Sequence, residues 1–132
     1  MSVRTALATL TILVLALVIG CGHRAAPLAG VTGVVTFRGM PLANGLIVFT
    51  PDDDSGCHGS CAYGEIGVDG RFVLFTDGTR GAAIGWHRIS VAGLDVYGPK
   101  LPARFLDPQG SGLRAKVVAG TENVIDFQLE GS

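Results

Sequence analysis

The sequence predicts an all-β domain, either a sandwich or a barrel of short strands. Runs rich in β-branched and aromatic residues recur along the chain, separated by Gly, Pro, Asn and Asp. After residue 20, no stretch sustains the i, i+3, i+4 apolar spacing of a helix over ten residues. The 20 glycines among 132 residues are about twice the usual share of roughly 7%. Short strands joined by tight turns need many such residues.

The first three predicted strands follow from composition and alternation. Residues 31–37 read Val-Thr-Gly-Val-Val-Thr-Phe, and residues 38–42 form a turn. Residues 46–50 read Leu-Ile-Val-Phe-Thr and end at Pro51, which cannot donate a ladder hydrogen bond. Residues 63–68 alternate between apolar or small and other side chains, which predicts a third strand.

The later strands follow from turn signals and a period of two. Asp69-Gly70 is a strong hairpin signal, and the run 71–76 comes directly after it. Residues 86–92 alternate cleanly and place His87, Ile89 and Val91 on one face. Runs 113–118 and 123–129 complete a set of seven strands.

Residues 1–20 have the features of an export signal. Arg4 is the only charged residue before Arg24, and residues 12–19 are all apolar. The apolar stretch is shorter than the ~20 residues that span a bilayer. Val18-Ile19-Gly20-Cys21 then resembles a bacterial lipobox. The alternatives are an ordinary signal peptide with a chance cysteine, or an uncleaved anchor.

The lipobox resemblance implies cleavage after Gly20 and acylation of the Cys21 sulfur with palmitate-type chains. Several acyl chains would anchor the protein stably, because each buried CH₂ adds about 0.8 kcal/mol. The expected layout is a lipoprotein signal peptide at 1–20, a lipidated tether at 21–30 and one domain at 31–130. The expected location is the bacterial cell envelope, with the inner and outer membranes not distinguished.

The net charge of the chain argues against a nucleic-acid partner. The chain has 10 Lys and Arg against 11 Asp and Glu, a formal net charge of −1. It therefore lacks the basic excess typical of nucleic-acid binding. A hydrophobic share of 48% also argues against disorder.

The order of several weak motifs resembles a known family. The motifs are Val31-Thr32-Gly33-Val34-Val35, Pro41-Leu42, Ile47-Val48-Phe49, Asp69-Gly70-Arg71-Phe72 and Asn123-Val124-Ile125-Asp126-Phe127. Together they are similar to the carboxypeptidase-regulatory-like, transthyretin-like domain found in small bacterial lipoproteins. The resemblance implies a seven-stranded, mostly antiparallel Greek-key β-sandwich. It implies no catalytic residues, because the family shares none.

Cys57-His58-Gly59-Ser60-Cys61 is the most informative local motif. In an exported protein, two nearby cysteines predict a disulfide, here between Cys57 and Cys61. The alternative is a metal-handling or redox site that uses Cys57, His58 and Cys61, since thiolate and imidazole suit copper or zinc. Such a site would need a further ligand.

The remaining polar and aromatic residues are expected to be structural. Asp52-Asp53-Asp54 is expected to be a solvated turn, and His87 a satisfied residue on an apolar face. Tyr63, Trp86 and Tyr97 are able to stack on a sugar, although Trp86 at a strand start is expected in the core. No nucleotide-binding, zinc-protease or serine-hydrolase motif is present.

These observations predict a non-enzymatic envelope lipoprotein without a cofactor. Its expected role is that of a structural or binding module that contacts the membrane through its lipid and an envelope protein or glycan through its domain. The metal-handling or redox lipoprotein stays open as the alternative.

Overall fold

The computed structural model describes residues 27–131. The predicted export signal and the predicted lipidation of Cys21 therefore lie outside the described residues. Within residues 27–131, strands and two short 3-10 helices make up the regular structure, which confirms the all-β prediction. No helix in this range has the length and apolar character needed to cross a membrane.

The strands are numbered in chain order. They are β1 Leu28–Ala29, β2 Val31–Phe37, β3 Met40–Pro41, β4 Gly45–Pro51, β5 Ala62–Ile66, β6 Arg71–Val73, β7 Phe75–Thr76, β8 Thr79–Arg80, β9 Ala82–Ala83, β10 Gly85–Gly93, β11 Arg114–Val117, β12 Asn123–Val124 and β13 Phe127–Leu129. The 3-10 helices are Asp53–Ser55 and Ala103–Leu106.

The larger sheet has six strands in the order β11-β10-β4-β5-β7-β8, and every neighbouring pair is antiparallel. The second sheet is built around β2, which pairs antiparallel with β3 and β6 and parallel with β12 and β13. A separate short ladder joins β1 to β9. Leu28 and Ala29 therefore belong to the fold, although the sequence places them in the tether.

The core lies between the two main sheets in a sandwich-like arrangement. In β2 and β4 every second residue is buried, which is the pattern of strands that turn one face toward a core. Phe49 of β4 meets Phe127 of β13 with ring centroids 5.8 Å apart and Phe72 of β6 at 6.3 Å. Aromatic pairs of this kind add about 0.5–1.5 kcal/mol each beyond the burial of their area. These rings hold the two sheets together.

The predicted strand 71–76 is divided at Leu74. β6 pairs with β2 in the second sheet, whereas β7 pairs with β5 in the larger one. The Leu74 backbone N–H donates to Val31 O at 3.0 Å, and its carbonyl accepts from Gly81 N at 2.8 Å. The Leu74 side chain is fully buried. The segment 71–76 therefore forms one continuous ribbon that crosses from one sheet to the other. At the crossing point, Leu74, the backbone groups are hydrogen-bonded and the side chain is buried in the core.

The predicted strand 123–129 is also interrupted, at Ile125 and Asp126. Here the Asp126 side chain takes the place of a strand neighbour, since Val34 N donates to Asp126 Oδ1 at 2.9 Å. The Ile125 carbonyl lies against Gly33 of β2, where a Cβ would overlap it. The close approach of these two backbones explains the glycine within an otherwise β-branched strand.

Gly33→Ala tests this close approach. The added methyl should displace Ile125 and lower the free energy of unfolding by about 1–3 kcal/mol in urea denaturation of the full chain. Gly93→Ala is the matched control, because a Cβ there meets nothing nearer than Leu101 at 3.9 Å. Equal stabilities for the two variants would show that the Gly33–Ile125 contact is not a constraint.

Candidate functional site

The loop between β4 and β5 contains most of the residues singled out from the sequence, and Asp52 anchors it. The Asp52 side chain is only 3% exposed. Its carboxylate accepts hydrogen bonds from Ser55 Oγ at 2.9 Å and Arg114 Nη2 at 2.8 Å, and Arg88 Nε lies 3.4 Å away. Burial by itself raises the pKa of Asp52. The Ser55 hydrogen bond, the charge of Arg88 and the Arg114 hydrogen bond outweigh it, so the pKa lies below its usual value.

The backbone of Asp52 closes the loop as well. Its N–H donates to Trp86 O at 2.9 Å, and its carbonyl accepts from Ser55 N and Cys57 N, each at 3.0 Å. Asp53 and Asp54 stay exposed. The expectation of a solvated turn therefore fits these two residues and not Asp52. The arginine partners come from β10 and β11, far away in sequence, so no local pattern signals this role.

The two thiols have different environments and are free. Cys57 is 3% exposed, its Sγ lies 3.4 Å from Ile84 O, and it packs beside Gly85. Burial raises the pKa of the Cys57 thiol, and the nearby Asp53 and Asp52 charges act in the same direction. The Cys61 Sγ lies instead 3.8 Å from Thr50 Oγ1 on β4.

The predicted Cys57–Cys61 disulfide is thus not formed in this structure. Cys57 is held by β9–β10 residues inside the fold, while the Cys61 side chain lies against β4 at the start of β5. Three intervening residues bring the two cysteines into the same loop. They do not determine the direction in which each thiol points.

His58 is directed toward a carboxylate. Its Nδ1 lies 2.9 Å from Asp53 Oδ1, and both side chains are largely exposed. Across residues 27–131, no group of three or more His, Cys, Asp or Glu side chains is close enough together to hold a metal ion. In this structure the side chains of Cys57, His58 and Cys61 do not converge on one point.

His87 lies in the core on β10, on the face that the alternation predicts. Its ring centroid is 5.7 Å from that of Phe49, and its Nδ1 is 3.0 Å from Gly85 O. Nε2 is buried without a hydrogen-bond partner, so only one of the two ring nitrogens is hydrogen-bonded and the expectation of a satisfied histidine is met in part. Burial lowers the pKa of His87, and the Gly85 hydrogen bond offsets this in part.

The three aromatic residues that are able to stack on a sugar, Tyr63, Trp86 and Tyr97, lie in different parts of the structure. Trp86 is 37% exposed and not in the core, and the Arg114 guanidinium covers its ring at 4.9 Å. Tyr97 is almost fully exposed in the segment between β10 and the second 3-10 helix. Tyr63 is 52% exposed and pairs across strands with Phe75, which is 46% exposed.

Tyr63 and Phe75 line a surface groove of about 700 Å³, termed here the β5–β6 groove. It lies at the hairpin 62–73, where β5 pairs with β4 in the larger sheet and β6 pairs with β2 in the second sheet. Its lining residues are Asn44, Leu46, Tyr63, Gly64, Glu65, Ile66, Gly67, Val68, Arg71, Phe72, Val73 and Phe75. The sequence interpretation did not single out Phe75, because a continuous strand 71–76 does not show that the chain changes sheets.

No family model, curated protein or solved structure matches this chain. The interpretation of the site therefore depends on its own geometry. The loop around Asp52 is a rigid charged cluster whose polar groups largely satisfy one another. The β5–β6 groove instead presents exposed rings and polar side chains to solvent, and its volume lies in the range of ligand sites.

Thiol reactivity tests the arrangement of the cysteines. In a reduced Cys21→Ala background, a disulfide-exchange reagent should modify Cys61 quickly. The rate at Cys57 should be lower by about tenfold or more. The reason is that Cys57 is buried and its thiol pKa is raised. Cys61→Ala should leave only the slow phase, and Cys57→Ala only the fast one. Absence of titratable thiols before reduction would instead favour the disulfide.

The same assay tests Asp52 as the loop anchor. Asp52→Asn leaves Arg88 and Arg114 without their buried countercharge, so the loop should loosen and the slow phase should accelerate several-fold. Asp54→Asn is the control, since that side chain is 87% exposed. An unchanged Cys57 rate in Asp52→Asn would show that the carboxylate does not hold the loop.

The lowered pKa of the buried His87 predicts that the stability of the fold depends on pH. Below the ordinary His pKa of 6.5 the unfolded chain binds a proton that the folded chain does not. The free energy of unfolding should therefore fall with decreasing pH, by at most about 1.4 kcal/mol per unit, until the lowered folded pKa is reached. Denaturant titrations between pH 7.5 and 5 measure this slope. His87→Leu should flatten it and His58→Gln should keep it; an unchanged slope in His87→Leu contradicts the assignment.

Proposed function

We propose that the protein is a membrane-anchored lipoprotein of the bacterial cell envelope whose domain acts as a non-enzymatic structural or binding module. The observation that carries this proposal is the apolar run 12–19 followed by Val18-Ile19-Gly20-Cys21. Such a segment is typical of proteins that are exported, cleaved and acylated on cysteine. The proposed contacts are the membrane through the lipid, and an envelope protein or glycan through the domain.

The position of β1 supports a short tether. β1 follows Cys21 by only a few residues and is fixed by its ladder with β9. Leu28 and Ala83 of that ladder line one small cavity together with Gly59 and Ser60, which places the β4–β5 loop beside the tether. The β5–β6 groove extends from Tyr63 toward Val68 in the turn that follows β5, away from that end.

We further propose that the domain is a seven-stranded Greek-key sandwich of the carboxypeptidase-regulatory-like type. The order of the sequence motifs supports this, as do one antiparallel sheet and one mixed sheet that share one core. Parallel pairing of β2 with β12 and β13 is compatible with a mostly antiparallel fold.

Lipid labelling tests the anchor. Cells that express the full chain should incorporate labelled palmitate into the protein, and Cys21→Ala should abolish the label. Cys61→Ala is the matched control and should keep it, because Cys61 lies inside the folded domain. The membrane fraction should lose the acylated form in Cys21→Ala only. An unlabelled wild-type chain, or a labelled Cys21→Ala chain, would contradict the lipoprotein assignment.

A further inference from the structure

Two aromatic rings in the β5–β6 groove have no ring partner. Tyr63 and Phe75 are register partners on β5 and β7, so their side chains extend from the same face of the sheet. The ring–ring contacts of the described residues all lie in the core and involve neither of them. Trp86, by contrast, is covered by Arg114. The groove is therefore the place where the fold leaves a pair of aromatic faces available to a ligand.

Polar side chains of mixed character surround these rings. Asn44, Glu65 and Arg71 line the groove and are all exposed. They supply an amide, a carboxylate and a guanidinium, so both hydrogen-bond donors and acceptors are present. Arg71 Nε lies 3.6 Å from Asp69 Oδ2, so the charge of Arg71 is balanced by that neighbour, and the remaining carboxylate of Glu65 disfavours an anionic ligand.

Backbone contacts fix the strands that line the groove. Gly64 forms part of its wall, and a Cβ there would lie 2.9 Å from Val73 O, so the two strands are already in close contact at that point. The turn that joins them is fixed by Gly67 N donating to Arg71 O and by Val35 N donating to Gly70 O, each at 2.9 Å. A site built this way loses little conformational entropy when a ligand binds.

We propose that the β5–β6 groove binds an uncharged oligosaccharide. Sugar rings have an apolar face and an edge of hydroxyl groups, which match the rings of Tyr63 and Phe75 and the polar groups of Asn44, Glu65 and Arg71. The groove is open to solvent, and its two exposed rings lie beside polar side chains that are able to bond the hydroxyl groups of a sugar. The inference rests on the proposed function, from which it selects glycan over protein.

Calorimetric titration of the full chain in detergent tests the proposal. The probes are the trisaccharides of N-acetylglucosamine, β-linked glucose and α-linked glucose, which also distinguish cell-wall-type from storage-type glycans. At least one should bind. Tyr63→Ala and Phe75→Ala should each weaken that binding about tenfold, and Glu65→Gln should weaken it without removing a ring. Tyr97→Ala is the matched control, since this tyrosine is exposed but lies outside the groove.

Several outcomes would overturn the assignment. One is no binding of any trisaccharide by the folded wild-type chain, and another is equal binding by Tyr63→Ala and wild type. Thermal melts identify variants that have lost the fold, and Tyr63→Phe, which keeps the ring, should retain most of the affinity. A photo-crosslinking residue at position 63 that captures a protein in native envelopes would overturn the glycan class while leaving the proposed binding module intact. Loss of palmitate labelling would affect the anchor and not this site.

Discussion

The ribbon 71–76 is shared by both sheets, and the rest of the architecture depends on this crossing. Its first half pairs with β2 and its second half with β5, with Leu74 buried between them. A strand that changes sheets cannot pair with its hairpin partner along its whole length. β5 and β6 therefore leave their turn for different sheets, and the groove lies on the surface at this hairpin. The core and the candidate site thus arise from the same backbone geometry.

Two other groups of contacts hold the sheets and the β4–β5 loop in place. The aromatic contacts of Phe49 with Phe72 and Phe127 fix the distance between the sheets. Asp52, with Arg88 and Arg114, holds the long β4–β5 loop against the larger sheet. This loop is stabilised by charge and by backbone hydrogen bonds, and both of its thiols are free in this structure. A buried carboxylate with two arginines is costly to break, because removal of one partner leaves an unpaired buried charge.

Much of the fold could be predicted from local patterns. Composition identified the strands 31–37 and 46–50, and alternation in 86–92 identified the apolar face, because the side-chain period of a strand does not depend on its partner. Other features depend on distant residues. The division of 71–76 at Leu74 is set by Val31 and Gly81, and the interruption at Ile125 and Asp126 by Gly33 and Val34. Likewise, Cys57 and Cys61 are close in sequence, but Ile84 and Thr50 determine where their thiols lie.

Amide hydrogen exchange on the full chain is the most direct test that the sheet-crossing ribbon forms a rigid, preformed groove. The N–H groups of Val35, Gly67, Leu74 and Gly81 hold the ribbon and its turn in place. In the ligand-free protein they should exchange as slowly as the amides of β4 and β10 at the centre of the larger sheet. Fast exchange confined to residues 67–81, with β4 and β10 protected, would show that the crossing is not a fixed element and would contradict the account.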